Sequence, residues 1–131
     1  MTRFDAATEN ARRELFADAI RAHDERDSAF LTIEVDVDNE DTEDEPVPWV
    51  QFADGTLNLD CTDDELDRLK SLLDTYSEFR IAELSRPEDA EGTNVHVSAR
   101  TDPERVAGFI DRIFLDVYEH SADYRAWVVA V

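Results

Sequence analysis

Asp54-Gly55, lying between Trp49-Val-Gln-Phe-Ala53 and Thr56-Leu-Asn-Leu-Asp60, constrains this chain more than any other dipeptide in it. A tight hairpin turn needs positive φ, which glycine tolerates without steric penalty, and both flanks are apolar runs. The segment therefore predicts an antiparallel pair of strands. Directly after it, Thr62-Asp-Asp-Glu65 has the spacing of a capping box. In that motif the hydroxyl accepts from an early helical N–H and the glutamate returns a bond to the cap, while Asp63 and Asp64 complement the helix dipole. Leu66, Leu69, Leu72, Leu73 and Tyr76 form the apolar stripe of the helix that follows.

Other elements follow from periodicity. From Thr8 to about Asp27, Ala11, Leu15, Phe16, Ala19, Ile20 and His23 recur at helical spacing. Arg12, Arg13, Glu14, Asp18 and Arg21 fill the other side, the side expected to face solvent. Phe30 to Val37 alternates as a strand with Leu31, Ile33, Val35 and Val37 inward and Thr32, Glu34 and Asp36 outward. Residues 38–48, with six carboxylates at Asp38, Glu40, Asp41, Glu43, Asp44 and Glu45 and two prolines, read as an acidic loop. Phe79–Leu84 and Asn94–Arg100 are two further strands; in the second, Val95, Val97 and Ala99 face away from Asn94, His96 and Ser98. Thr101-Asp-Pro-Glu104 opens a third helix with core face Val106, Phe109, Ile110, Ile113, Phe114 and Val117. Gly108 inside it costs about 1 kcal/mol against alanine, so a close approach by a neighbouring backbone is expected there. Ala126–Val131 is a last strand, apolar on both faces.

The resulting order, α-βββ-α-ββ-α-β, is that of a two-layer α+β sandwich with a mainly antiparallel sheet, in a single domain over 1–131. It resembles the α/β sandwich of type III secretion chaperones and the related YbjN-like proteins. That resemblance rests on element order alone; it implies a small, usually dimeric protein that presents a sheet or groove to a protein client. The rival topology is a ferredoxin-like βαββαβ from Thr56 to Val131 with N-terminal additions. In that arrangement the Asp54-Gly55 hairpin would occupy a side of the first strand that a later strand normally takes.

Charge narrows the function classes. Thirty-three Asp plus Glu stand against thirteen Lys plus Arg, a formal charge of -20, and Lys70 is the one lysine. At ~1 M salt the Debye length is about 3 Å and most of the resulting self-repulsion vanishes. This composition resembles the proteome style of extremely halophilic archaea. A nucleic-acid site needs a basic footprint, whereas Arg12, Arg13, Arg21 and Arg26 share their segment with six carboxylates, so direct DNA or RNA binding is not expected. The first eight residues lack a signal-peptide core and the longest apolar run, Ala126–Val131, is far short of a membrane span. With Cys61 as the lone cysteine, the expectation is a soluble protein of a reducing cytoplasm.

No catalytic, cofactor or metal site emerges. Cys61 precedes the capped helix, where a dipole can lower a thiol pKa, and a pocket with His96 is the best enzyme or ligand-binding alternative. Asp60, Asp63, Asp64 and Glu65 oppose a thiolate there, and Cys61 continues the inward phase of Leu57 and Leu59, so a structural cysteine is favoured. Asp36, Asp38, Glu40 and Asp41 lack the glycine of a calcium loop, and His23, His96 and His120 share no helical face. Gly55, Gly92 and Gly108 are not spaced to hold phosphate. The residues singled out for partner binding are Trp49, Tyr124 and Trp127, large aromatics on or beside strands. Arg80, Arg100 and Arg125 lie on or beside the later strands and are candidates for surface ion pairs or an anion. The expected role is a non-catalytic interaction module, acting as a homodimer on an unknown protein client.

Overall fold

The computed structural model describes residues 4–26, 31–35, 49–53, 55–76, 78–86, 92–120 and 124–130. Their elements are β1 (Phe4–Ala6), α1 (Glu9–Arg26), β2 (Leu31–Val35), β3 (Trp49–Ala53), β4 (Thr56–Cys61), α2 (Asp63–Thr75), β5 (Arg80–Ser85), β6 (Thr93–Ser98), α3 (Pro103–Arg112) and β7 (Ala126–Ala130). A π-helical segment, Ile113–Val117, prolongs α3. The acidic stretch 38–48, the rejected calcium loop and the side chain of His23 lie outside the described residues.

The strands form one sheet in the order β1-β7-β2-β3-β4-β6-β5, and every neighbouring pair is antiparallel. The expected α+β order is therefore present, with one addition. The three-residue β1 pairs Phe4 with Val128 and Ala6 with Ala126. Three residues carry too little periodicity to read as a strand alone; β1 depends on the edge that β7 offers. The hairpin forms as expected, with Gly55 at φ 73°. Strands β2 and β3 separate β7 from β4, so the ferredoxin-like order, which needs β7 beside β4, does not form. Only its β4-β6-β5 part is present.

Inward positions Leu31, Ile33, Val50, Phe52, Leu57, Leu59, Cys61, Val95, Val97 and Ala126 join Phe16, Ile20, Leu69, Leu72, Phe109, Ile110, Ile113, Phe114 and Val117 of the helical layer in one apolar cluster. Phe79 stacks on Phe109 with ring centroids 4.1 Å apart. The capping box is complete: the Glu65 N–H donates to Thr62 Oγ1 at 3.2 Å, and the Thr62 N–H to Glu65 Oε1 at 2.8 Å.

The face of α1 is the main correction. Ala11, expected inward, is exposed, and Arg12, expected in solvent, is 0% exposed. The buried stripe runs Arg12, Phe16, Ala17, Ile20, rotated from the one the periodicity gives, because the interior supplies Arg12 with polar partners. At Gly108 the neighbour is the Arg13 side chain of α1 rather than backbone, and an added Cβ would lie 3.5 Å from it, in ordinary contact. Gly92 is the tighter glycine, since a Cβ there would come 2.9 Å from the Cys61 carbonyl oxygen.

Candidate functional site

Strand alternation divides the proposed site residues between two sides of the sheet. Cys61 shares the inward face with Leu57 and Leu59, whereas His96 pairs with Asn58 on the outward one. The two lie on opposite faces, so they do not line a common pocket, and the Cys61–His96 alternative loses its geometry. Burial, then the negative charge of Glu65 and Asp60, pushes the Cys61 thiol up to about 12. Tyr118, which donates to the Asp60 carbonyl oxygen at 2.5 Å, is shifted upward too, chiefly by burial.

Tyr124 parts company with the two tryptophans. It is 6% exposed, and its hydroxyl donates to Asp111 Oδ1 at 2.7 Å. The Arg12 guanidinium lies 3.9 Å from its ring centroid, donates from Nε to the same Asp111 oxygen at 2.7 Å, and from Nη1 to the Ala7 and Tyr124 carbonyls at 3.0 Å. Asp111 is 0% exposed. This cluster ties the start of α1, the end of α3 and the entry to β7 together inside the molecule. Tyr124 is therefore an interior residue, with its polar handle satisfied there. Sequence reading missed Arg12 and Asp111, since nothing local marks a pair 99 residues apart.

Trp49 and Trp127 do come together, on the outward face. Glu34 of the central β2 pairs with Trp49 on one side and with Trp127 on the other, which sets the three in a row across β3, β2 and β7. Both tryptophans are half-buried and Glu34 is exposed. The next row holds Thr32, Gln51, Asn58 and His96, and the third Ala53, Thr56, Ser98 and Arg80. All of these are partly or fully exposed, because the described helices bury their apolar sides against the opposite face.

The middle of this face is mostly amide and hydroxyl side chains, with the exposed Asp60 beside them, and is cross-linked. Asn94 Nδ2 donates to Asn58 Oδ1 at 2.7 Å and to Asp60 Oδ1 at 2.9 Å, and longer contacts run from Asn58 to Gln51 at 3.5 Å and from Gln51 to Thr32 at 3.4 Å. His96 Nδ1 stands 3.6 Å from Glu83. In a chain of net charge -20 a face whose central strands are largely Gln, Asn, Thr, Ser and Ala, with Glu34 and Asp60 as the carboxylates, is a departure from the overall composition. That signal was available in the outward phase of the strands.

The chain belongs to the family of unknown function DUF7975, whose model matches residues 1–131. No curated protein and no solved structure matches it. Among the described residues no group of three or more His, Cys, Asp or Glu is placed to hold a metal ion, and no helix is long and apolar enough to cross a membrane.

Proposed function

We propose that this protein is a non-catalytic, chaperone-like interaction module of a salt-adapted cytoplasm, and that the outward face of its sheet docks protein partners, a second copy or a client. One observation carries the reading: the outward face of the central strands is aromatic-flanked and rich in uncharged Asn, Gln, Thr and Ser, with Glu34 and Asp60 as its carboxylates, in a chain otherwise dominated by acids. Interface centres are depleted of charge and enriched in large aromatics. The Asn94–Asn58–Gln51–Thr32 ladder satisfies much of its own hydrogen bonding, so covering it strands few polar groups. The charge of -20 and the single lysine support the salt-adapted setting, and the lone buried Cys61 suits a reducing one.

The test is co-purification of the tagged protein from cells lysed in molar KCl, beside a Trp49→Ala/Trp127→Ala variant and a helix-surface control, Lys70→Ala. Partners retained by the parent and the control but lost from the tryptophan variant support the sheet face. Equal retention by all three assigns binding to another surface and refutes the reading.

A further inference from the structure

Two arginines on the outward face form no ion pair among the described residues. Arg80 pairs across the strands with Ser98, and Arg100 lies two residues beyond Ser98 along the same chain, its side chain over Gly55. Diagonal neighbours of this kind have Cβ atoms about 7–8 Å apart, so two guanidinium groups there can converge on one acidic group. Arg12, Arg13, Arg21, Arg68, Arg86, Arg105 and Arg112 each bond or face a carboxylate. Arg80 and Arg100 are exposed and form no ion pair among the described residues, although acids outnumber bases 33 to 13.

The same face carries an exposed acid at its far corner. Glu34, between Trp49 and Trp127, also forms no ion pair among the described residues. It lies four strand steps from β5 in the sheet order and in the row at the opposite end of the strands. With strands about 4.8 Å apart and residues rising about 3.4 Å, the two corners are separated by roughly 24 Å. The face thus carries Arg80 and Arg100 at one corner, with Glu83 also outward on β5, an amide-rich middle, and carboxylates at the opposite end, where Glu34 stands between the tryptophans and Asp60 beside Asn94.

Such a face fits itself. We infer that the outward face docks a second copy of this chain, face to face about a two-fold axis, with Arg80 and Arg100 of each copy meeting the Glu34–Trp49–Trp127 corner of the other. This rests on the interaction reading above and names its partner. A two-fold contact is isologous, so one complementary pair of corners is made twice. Two chains of charge -20 can approach only where each offers cations to the carboxylates of the other, and Arg80 and Arg100 provide that for Glu34. A basic partner would find better complementarity on the carboxylate-rich helix surfaces.

The experiment is sedimentation equilibrium in about 1 M KCl, where surface charge is screened but desolvated interface pairs persist, with far-UV circular dichroism to show that each variant folds. The parent is expected to dimerise. Glu34→Arg alone, and Arg80→Glu/Arg100→Glu together, are each expected to raise the dimer dissociation constant about tenfold or more. In a heterodimer of the two variants both corner pairs are complementary, one as in the parent and one with its signs reversed, so an equimolar mixture is expected to dimerise more tightly than either alone. A parent that stays monomeric at every concentration overturns the second-copy inference, while leaving a client on this face testable by co-purification. A dimer broken by Trp49→Ala but indifferent to the charge reversals keeps the face and overturns the corner pairing. A dimer indifferent to both sets refutes the use of this face for self-association.

Discussion

Replacing Asp111 by alanine tests whether the buried Arg12–Asp111–Tyr124 cluster holds the two layers in place. Both charged side chains are 0% exposed, and Arg12 Nε donates to Asp111 Oδ1 at 2.7 Å. With the carboxylate gone, Arg12 loses this ion pair and keeps the Ala7 and Tyr124 carbonyls. Removing one partner of a buried ion pair costs about 3–5 kcal/mol. The bond from the Tyr124 hydroxyl to Asp111 is lost as well, so Tyr124→Phe alone should cost about 1.5–3 kcal/mol, the range for a hydrogen bond to a charged group. Against a typical total of about 5–15 kcal/mol, Asp111→Ala removes a large share of the stability. The assay is urea denaturation in molar KCl, with midpoints compared at constant slope. Arg12→Met/Asp111→Leu should recover most of the loss, since a buried ion pair replaced by apolar groups is often neutral or better. The cost of Asp111→Ala should also hardly change between about 1 and 3 M KCl, because salt does not reach a fully buried pair. A loss below about 1 kcal/mol, the range of exposed pairs, would refute the reasoning.

The melting temperature should rise between roughly 0.1 and 3 M KCl as the repulsion of 33 carboxylates is screened; a flat profile by circular dichroism removes the basis for a salt-adapted reading. Thr62→Ala should lower stability by about 0.5–2 kcal/mol, measured from denaturation midpoints, by removing the hydroxyl that accepts from the Glu65 N–H. Cys61 should react slowly with thiol reagents in the folded protein, and alkylation at the rate of a free peptide thiol would show that it is not buried. Because the folded thiol holds its proton up to about 12 against an ordinary 9.0, its stabilising contribution is full below pH 9 and lost as pH rises from 9 towards 12. His120 works in the opposite sense: burial lowers its pKa from 6.5, so its contribution is lost as pH falls below that value. Denaturation midpoints should therefore decline on the alkaline side, and Cys61→Ala should make that decline shallower.

Local chemistry alone determined most of the elements. Asp54-Gly55 turns because glycine accepts positive φ, Thr62 and Glu65 cap α2 because their spacing matches the first helical turn, and the alternation in β3, β4 and β6 sorts inward from outward residues. The inward position of Cys61 and the outward one of Trp49 follow from that same two-residue period. Three things were decided only by tertiary structure. The insertion of β2 and β3 between β7 and β4 is a choice of sheet order, to which local periodicity is blind. Arg12 sits inside because Asp111, 99 residues away, and two backbone carbonyls satisfy it there; by helical phase alone it belongs to solvent. Tyr124 is drawn in by the same cluster, while Trp49 and Trp127, distant in the chain, become neighbours of Glu34 because β2 pairs with β3 and β7 at once. Periodicity tells a side chain which way to point relative to its own element, and only the packed fold supplies what it points at.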